Sequence, residues 1–406
     1  MQNDTKKLDQ LTSLRFFAAF MIVLHHSTGS FGIGEFGVNF GQAVSFFFVL
    51  SGFILTYVYP KLDTRQKVVQ FWRARIARIW PAYFATFLLY FLLSPGRWDI
   101  EVTAANLLMV QAWIPLSTYF SAYNPVAWSV STEYFFYLAF PAILFNWNKN
   151  WLLKLAAAAV GLIALLALVN HLALPVFGHP NIGLDGKLVT QHGLIYISPL
   201  SRIFEFIFGM GVAHVWRNYR GSNWAPVVAT GLELGAIALC AISMCYINFM
   251  AAWGYQSILG APFGLWLSHS GSVFTFGLLI FVMAQGGGGI SKLLAHPFLV
   301  LLGEISFSIY LIHKFLLNIY SVKIAGITQL PNPVAYCVFV IVLMLVSYLM
   351  WTCIEMPGRR LILGHRNIHG TTVMKKSWHD HFTLSRRTLL AGLALFLMIG
   401  LVYLSM

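Results

Sequence analysis

The chain has 406 residues, of which 58% are hydrophobic and only 10% are charged. Soluble domains carry about 25% charged residues, so the composition excludes an ordinary soluble protein and indicates an integral membrane protein. The formal net charge of +13 does not indicate nucleic-acid binding, because the Lys and Arg residues gather between apolar stretches. We expect an all-α fold: a polytopic helix bundle of about ten to eleven transmembrane helices. It would form a single domain, 1–406, with no separate soluble domain.

Candidate membrane spans are stretches of about 20 mostly apolar residues. They are predicted near 11–28, 42–60, 80–94, 126–146, 151–174, 202–217, 226–249, 270–285, 298–321, 333–354 and 388–406. Two further apolar stretches, 104–116 and 255–268, are interrupted, and we interpret them as re-entrant or interfacial segments. When the N-terminus is placed in the cytoplasm and the spans alternate, most of the 26 Lys and Arg residues fall on the cytoplasmic side.

The first span, LTSLRFFAAFMIVLHHS, contains three ionisable side chains: Arg15, His25 and His26. Such groups are costly inside a bilayer, so they suggest a functional site. Arg15 and His26 share one helix face about 16 Å apart, because eleven residues make close to three turns. His25 points about a quarter turn away. The alternative is structural: Arg15 snorkels to the headgroups and the two histidines lie at the opposite interface.

A basic segment, FWRARIARIWPAYF, occupies residues 71–84 and is predicted to form the first cytoplasmic loop. Arg75 and Arg78 are three residues apart and share a helix face, with Arg73 beside them. A guanidinium matches the oxygens of a phosphate, so a ligand with several phosphates, such as coenzyme A, would fit here. The alternative is an ordinary cytoplasmic loop that binds anionic lipid headgroups.

The fourth span carries Glu133 about two turns into an apolar helix, accompanied by Trp128, Ser129, Ser131 and Tyr137. A carboxylate at this depth needs a partner, and His26 or an Arg is the natural one. Paired with a histidine, Glu133 would set the tautomer and raise the basicity of the imidazole. The alternative is a structural ion pair between helices.

Two later spans also carry polar groups. Arg202 and Glu205 are three residues apart and can pair with each other, a structural interpretation, while Gly209 and Gly211 allow close helix approach. In the ninth span the residues that form one stripe are Ser306, Tyr310 and His313. They would either line a polar cavity or hold helices together. No HExxH, GxSxG, Walker or CxxC motif occurs, so no metal is expected.

Taken together and in order, six segments resemble the acyltransferase 3 family of integral membrane O-acyltransferases. They are LRFFAAFMIVLHH (14–26), FFFVLSGFIL (46–55), FWRARIARIWPAYF (71–84), NPVAWSVSTEYFFYLAFP (124–141), RIFEFIFGMGVA (202–213) and LGEISFSIYLIH (302–313). The resemblance implies transfer of an acyl group, typically acetyl, from acyl-coenzyme A to a hydroxyl of a bacterial surface or exported glycan. It also implies a multi-pass protein of the bacterial inner membrane.

The resemblance also assigns residues. The family's Arg and His of the first span fall on Arg15 and His26, its paired arginines on Arg75 and Arg78, and its acidic Trp-Ser-motif residue on Glu133. His25 departs from the family, which usually has an aromatic or aliphatic residue there. Val44 and Ser45 stand where an acidic residue often precedes the FF pair.

The function expected is therefore an O-acyltransferase, most simply an O-acetyltransferase, that uses acetyl-CoA and a polysaccharide or lipid-linked oligosaccharide acceptor. The catalytic candidates are His26, Arg15 and Glu133, and the donor-binding candidates are Arg75, Arg78 and Arg73. The substrate-site candidates are Trp128, Ser131, Tyr137, Arg202, Glu205, Ser306, Tyr310 and His313. The partners are the glycan acceptor and membrane lipids, not nucleic acid. A transporter or flippase is the alternative, because buried Arg, His and Glu could also relay protons.

Overall fold

The computed structural model describes residues 7–32, 37–93, 99–176, 186, 188–219, 224–325 and 331–364. Within these residues the regular structure is helical, apart from one isolated antiparallel bridge between Leu116 and Val189. The predicted span at 388–406 lies outside the described residues. The all-α expectation is confirmed for the part of the chain that the structure covers.

The α-helices are numbered in chain order. They are α1 Asp9–Phe31, α2 Ala43–Val58, α3 Arg65–Leu93, α4 Ile100–Leu107, α5 Ser117–Phe120, α6 Trp128–Leu144, α7 Trp147–His171, α8 Pro199–Tyr219, α9 Pro226–Tyr255, α10 Gly260–Ser270, α11 Val273–Gln285, α12 Gly289–Leu294, α13 Pro297–Ile319, α14 Asn332–Met350 and α15 Met356–Leu363. Three π-helical segments are His192–Ile197, Tyr320–Ile324 and Trp351–Glu355.

Eight helical segments of the described chain are long and apolar enough to cross a membrane, which confirms a polytopic bundle. They are Phe40–Val58, Arg65–Leu93, Trp147–His171, His192–Tyr219, Pro226–Tyr255, Gly260–Gln285, Pro297–Ile324 and Asn332–Leu363. The predicted first and fourth spans are the helices α1 and α6. These two fall outside the eight because polar residues, Arg15, His25 and His26 among them, lower the mean hydropathy of α1, and because α6 has only 17 residues.

Two predicted boundaries differ from the structure. Helix α3 begins at Arg65, so the basic segment 71–84 is helical rather than a loop and continues directly into the third span. Gly260–Ser270, predicted as interfacial, joins Val273–Gln285 to make one long segment with a short break.

Helices α2 and α8 lie at the centre of the bundle and α7 lies at its edge. The most apolar window of α2 is 83% buried, whereas that of α7 is only 17% buried. Helix α7 therefore presents apolar side chains such as Leu152 and Leu153 outward, as a lipid-facing helix does. The polar residues considered below lie mostly on the inner helices.

Glycines set the closest helix contacts. A Cβ at Gly52 of α2 would overlap the carbonyl of Phe206, and one at Gly209 of α8 would overlap the carbonyl of Val49. Small residues at such positions let backbones touch, as predicted for Gly209. Gly211 faces Trp151 of α7 at ordinary van der Waals distance, so it sets no close contact.

Helices α1 and α13 run in the same direction and pack along their length. Gly303 meets the backbone of Thr12 near their starts, where a Cβ would overlap its carbonyl oxygen. Ser30 and Ser321 bond through their hydroxyls, 3.0 Å apart, near the ends. This parallel arrangement agrees with the alternation expected for a first and a ninth span.

Glu233 has a structural role. Its carboxylate accepts hydrogen bonds from the backbone N–H groups of Gly288, Ile290 and Ser291, at 3.0 to 3.2 Å. These groups open α12, so Glu233 caps a helix start inside the protein. The glycine run before α12 is therefore held in place, and Gly288 has no side chain because the carboxylate fills that space.

Candidate active site

His26 of α1 pairs with His313 of α13. Nδ1 of His26 lies 2.9 Å from Nε2 of His313, and the two rings are stacked with centroids 5.1 Å apart. His313 is fully buried, whereas His26 keeps part of its surface exposed. The candidate catalytic histidine and one of the substrate-site candidates thus form a single unit, 287 positions apart in sequence.

The backbone fixes the proton positions in this histidine pair. Nδ1 of His313 lies 2.6 Å from the carbonyl oxygen of Tyr310, which can only accept, so that nitrogen carries a proton. In the neutral imidazole, Nε2 of His313 is then an acceptor, and Nδ1 of His26 must donate to it. The lone pair of His26 is left on Nε2. The Tyr310 carbonyl therefore selects a tautomer of His26 that can accept a proton or act as a nucleophile.

Tyr310 continues the network toward α6. Its hydroxyl lies 2.7 Å from the hydroxyl of Ser129 and donates to the carbonyl of Val126 at 2.9 Å. Because Tyr310 is held at both its carbonyl and its phenol, α13 is attached to the start of α6 beside the histidine pair. The prediction that Tyr310 and His313 face one direction on α13 agrees with these contacts.

Glu133 lies with Arg15 rather than with His26. Its Oε1 accepts from the Ser51 hydroxyl at 3.1 Å and from the Tyr137 hydroxyl at 2.6 Å. Arg15 interacts electrostatically with Glu133 and with Tyr137. The expected contact between His26 and Glu133 is wrong, because the ring of His26 is directed to α13. The predicted alternative, an arginine partner, is the one that the structure supports.

Arg78 forms a buried ion pair with Glu355, which is 1% exposed. The other carboxylate oxygen of Glu355 accepts from the Ser308 hydroxyl at 3.1 Å. The carboxylate therefore links α3 to α13 through the π-helical turn Trp351–Glu355. Arg15 also interacts electrostatically with Arg78, so Glu355 offsets positive charge at a crowded point.

The other arginines of the basic segment differ in their contacts. Arg75 donates to the Tyr59 hydroxyl at 3.2 Å, and its guanidinium lies over the Tyr59 and Tyr137 rings. Arg73 is exposed and donates to the carbonyl of Ile362 on α15 at 2.7 Å. Arg359 of α15, half-buried, interacts with Arg75, Arg78 and Glu355. The name arginine cluster is used below for Arg15, Arg75, Arg78 and Arg359.

The pair Arg202–Glu205 has no accessible surface. The guanidinium lies 3.1 Å from the Glu205 carboxylate, donates to Ser45 and Ser270, and stacks over the Tyr196 ring at 5.5 Å. These contacts agree with the structural interpretation of the motif. Ser45, at a position where the family often has an acidic residue, serves here as an acceptor for Arg202.

The remaining substrate-site candidates, Ser131, Ser306 and Trp128, each contact a different part of the protein. Ser131 is buried and accepts from the backbone N–H of Ala112 at 3.1 Å, and Ser306 donates to Gly303 of its own helix. Trp128 is buried against Tyr196, with ring centroids 4.6 Å apart.

Among the described residues no group of three or more His, Cys, Asp or Glu is placed to hold a metal ion.

Sequence reasoning missed three residues near the site: Ser51, Glu355 and Arg359. Glu355 follows directly after the predicted tenth span, 333–354, so a carboxylate next to an apolar stretch was a signal that could have identified it. Arg359 gave no signal of its own, because in the sequence it is one of many basic residues outside the predicted spans. Ser51 gave no signal, since a serine in an apolar span is most often bonded to its own helix.

Comparisons with known proteins place the chain in a family. The profile of the acyltransferase 3 family, described as an acyltransferase domain, matches residues 8–352. Acyltransferase MdmB of Streptomyces mycarofaciens is 29% identical over 79% of this chain and 81% of its own length. Exopolysaccharide production protein ExoZ of Rhizobium meliloti (strain 1021) is 28% identical over 73% of this chain and 79% of its own.

A third relative is longer than this chain. The protein named "Putative O-acetyltransferase SACOL0978" of Staphylococcus aureus (strain COL) is 25% identical over 86% of this chain, which spans 57% of that protein. No solved structure matches. With the family profile covering most of the chain and the helices forming a polytopic bundle, the chain is a membrane acyltransferase that belongs to the acyltransferase 3 family.

Proposed function

We propose that the protein is a membrane-bound O-acyltransferase that moves an acyl group, most simply acetyl, from acyl-CoA to a hydroxyl of a polysaccharide or of its lipid-linked precursor. The observation that supports this best is the histidine pair, because it leaves the lone pair of His26 on Nε2. The names of the staphylococcal and rhizobial relatives, an O-acetyltransferase and an exopolysaccharide production protein, point to the same chemistry. The site of action is the bacterial cytoplasmic membrane.

In direct transfer, Nε2 of His26 takes the proton from the acceptor hydroxyl as its oxygen attacks the thioester carbonyl. The new C–O bond forms, the C–S bond breaks, and the thiolate of coenzyme A takes up the proton from the imidazolium. The positive charge that develops on His26 is shared with His313 through Nδ1–H. The chain of hydrogen bonds from the Tyr310 carbonyl keeps the imidazole in one orientation throughout.

In the two-step alternative the same lone pair attacks the thioester carbonyl, the C–S bond breaks and coenzyme A leaves as its thiolate. The acceptor hydroxyl then attacks the acyl group on His26, the N–C bond breaks, and the proton of the hydroxyl passes to the thiolate. Nδ1 of His26 donates to His313, which leaves Nε2 as the nucleophile. The two routes differ in whether an acylated protein accumulates without acceptor. Acid quenching followed by peptide mass spectrometry on His26 distinguishes them.

Coenzyme A carries several phosphates, and the arginine cluster is the part of the described structure suited to them. Arg75 is partly exposed as a residue and lies against tyrosine rings, and Arg359 adds a second cation beside it. Arg78 is held by Glu355, and Arg73, at the surface, forms the rim. The excess of Lys and Arg on this side of the predicted topology supports a cytoplasmic position for this end and for the N-terminus, which is the side from which acyl-CoA would approach.

Arg15 is proposed to stabilise the oxyanion of the transition state or to steer the thioester. Arg15 is the member of the arginine cluster that shares α1 with His26, and it is partly exposed. A fixed cation is most effective where water is excluded. Glu133, held by Ser51 and Tyr137, would balance the charge of Arg15 and fix its position.

The test is release of free coenzyme A thiol from acetyl-CoA by purified protein in lipid nanodiscs. Slow acceptor-independent release by the natural protein, lost in His26→Ala and retained in His25→Ala, supports the proposal. In cells, glycan mass spectrometry with and without the gene identifies the acceptor from the missing O-acetyl groups. A transporter or flippase would release no thiol and would leave the glycans acetylated, and either result overturns the proposal.

A further inference from the structure

Lys314 of α13 is a cation without a counter-charge among the described residues. It lies inside the segment Pro297–Ile324, which is long and apolar enough to cross a membrane. Its side chain is half-buried, and no carboxylate in the part of the chain that the structure describes acts on its charge. Nor does it form an ion pair or a hydrogen bond with any of those residues. A charged group at such a position is costly unless an opposite charge meets it.

Lys314 lies beside the histidine pair. It follows His313 directly in the chain, and it interacts electrostatically with both His313 and His26. Tyr310, whose carbonyl holds His313, is one turn before Lys314 and on the same face of α13. Asn318, which is exposed, is one turn beyond it. Lys314 is thus the charged member of a polar stripe that leads from the histidine pair toward the far end of α13.

The position of Lys314 differs from that of a lysine anchored at the membrane surface. Lysines near the end of a span extend their ammonium group to the headgroups. Lys323 has such a position, because it is nine residues further along the same segment, about 13 Å nearer to its end. Lys314 instead lies next to the imidazole that stacks on His26, at the depth of the proposed chemistry.

Space for a ligand remains beyond the histidine pair. Gly29 lies on the face of α1 between the directions of His25 and His26, and a Cβ there would meet no atom of the described residues within 4 Å. His25 itself is exposed. The arginine cluster lies toward the other end of α1, since Arg15 comes eleven residues before His26. This arrangement leaves the acceptor an approach that the donor does not use.

The proposed transfer creates a second positive charge close to Lys314. When Nε2 of His26 takes the proton of the acceptor hydroxyl, an imidazolium forms within the field of the ammonium group. Like charges repel strongly where little water is present. An anionic group bound to Lys314 would offset this repulsion as the charge forms. The lysine ammonium is a compact point charge with three donors, which suits a carboxylate or a phosphate.

We infer that Lys314 binds an anionic group of the acceptor, a carboxylate or a phosphate, and so selects acidic acceptors for transfer at His26. The inference rests on the proposed function, because it concerns the acceptor of that reaction, and it adds a charge requirement. An uncharged acceptor leaves the imidazolium and the ammonium unscreened from each other, whereas an acidic one places a negative charge between them. The bonds that form and break are those of the proposed transfer.

The experiment compares neutral and acidic forms of one sugar. Protein in nanodiscs of phosphatidylcholine is given methyl β-D-glucopyranoside, its 6-phosphate or methyl β-D-glucuronide, and binding is measured by saturation-transfer-difference NMR. Thiol release from acetyl-CoA without acceptor is measured in parallel. Lys314→Met removes the charge and Lys314→Arg keeps it. Lys323→Met is the matched control, because it removes the same charge from the same segment.

We expect at least one acidic glycoside to bind about tenfold more tightly than the neutral one, the effect of one charge-assisted contact. Lys314→Met should remove this preference, whereas Lys314→Arg and Lys323→Met should keep it. Thiol release without acceptor should rise in Lys314→Met, because the imidazolium of His26 no longer faces an ammonium. A lysine with a merely structural role would not raise it. The preferred glycoside identifies the group as a carboxylate or a phosphate.

Equal binding of the three glycosides, binding of none, or a preference that survives Lys314→Met overturns the inference. Slower thiol release in Lys314→Met also overturns it, because the ammonium would then stabilise the transition state itself. Loss of the preference when phosphatidylglycerol is added to the nanodiscs would show that Lys314 holds a lipid headgroup instead. In each of these cases thiol release by the natural protein still supports the proposed function. An acidic preference without any thiol release would overturn the proposed function instead.

Discussion

Arg78 and Glu355, which are 277 positions apart in the chain, form a buried ion pair that connects α3 to the π-helical turn before α15. The arrangement has two consequences. It brings Arg359, four residues beyond Glu355, into the arginine cluster. It also makes a carboxylate, rather than a ligand, the resting partner of one of the two arginines that the family resemblance assigns to the donor.

Glu355→Gln should destabilise the protein, because it leaves Arg78, whose side chain is only 20% exposed, without its counter-charge. Breaking one partner of a buried pair costs about 3–5 kcal/mol. Thermal unfolding in nanodiscs measures the effect. Glu304→Gln is the control, because Glu304 pairs with Lys7 at 3.1 Å where both side chains are partly exposed. Equal midpoints for the two variants would show that the Arg78–Glu355 pair contributes nothing.

His26→Ala should abolish acyl transfer while the amount of protein in the membrane stays normal. Loss of a general base lowers the rate about 10²- to 10⁴-fold, and more if His26 carries the acyl group. His25→Ala should retain most activity, since the ring of His25 does not make the hydrogen bond to His313. Thiol release and glycan acetylation both report the result. If His25→Ala is the inactive variant, the assignment of the base is wrong.

His313→Ala should lower kcat and leave the KM for acyl-CoA unchanged, because the side chain orients His26 rather than binding the donor. His313→Gln should recover part of the activity. Its amide oxygen can accept from Nδ1 of His26 in place of Nε2. We expect a loss of about ten- to a hundredfold in the Ala variant, the range measured for charge-assisted hydrogen bonds. A Gln variant no better than Ala would argue against the acceptor role.

Arg75→Ala and Arg359→Ala should each raise the KM for acyl-CoA with little change in binding of a glycoside. Each lost contact to a phosphate costs ~1.5–3 kcal/mol, about ten- to a hundredfold. The Arg78→Lys variant should keep only part of the affinity for acyl-CoA, because an ammonium group makes no bidentate contact with a phosphate. Arg73→Ala, at the exposed rim, should have the smallest effect. Unchanged KM values in both Ala variants would exclude the arginine cluster as the donor site.

Gly209→Ala should destabilise the bundle much more than Gly211→Ala. The new methyl group at Gly209 would overlap the Val49 carbonyl of α2, whereas at Gly211 it would meet Trp151 at an ordinary distance. Overpacking costs ~1–3 kcal/mol. The two substitutions are chemically identical and two residues apart on α8, so a difference in unfolding midpoint reports the helix contact alone. Similar midpoints would contradict it.

The sequence was sufficient for the class of fold and for individual residues with strong local signals. The apolar stretches predicted the helices, and helix periodicity predicted that Arg15 and His26 share one face of the first span. The ninth-span stripe likewise identified Tyr310 and His313. These predictions depend on one helix at a time, which is why they could be made without a structure.

The pairings between helices could not be predicted in the same way. Depth alone leaves either His26 or an arginine as the partner of Glu133, and the packing of the helices brings it to Ser51, Tyr137 and Arg15. The His26–His313 and Arg78–Glu355 contacts join residues more than 270 positions apart. Periodicity shows which residues share a face, and only the packing of the bundle shows which faces meet.

The close contact of Gly303 with Thr12 is the point about which α1 and α13 would tilt relative to each other. His313 lies ten residues further along α13, about 15 Å from that point. A tilt of about 2° there would move its imidazole by roughly 0.5 Å relative to His26, enough to stretch a 2.9 Å hydrogen bond beyond useful length. The glycine at position 303 therefore fixes the spacing between the imidazole rings of His26 and His313, although it lies far from the reacting atoms.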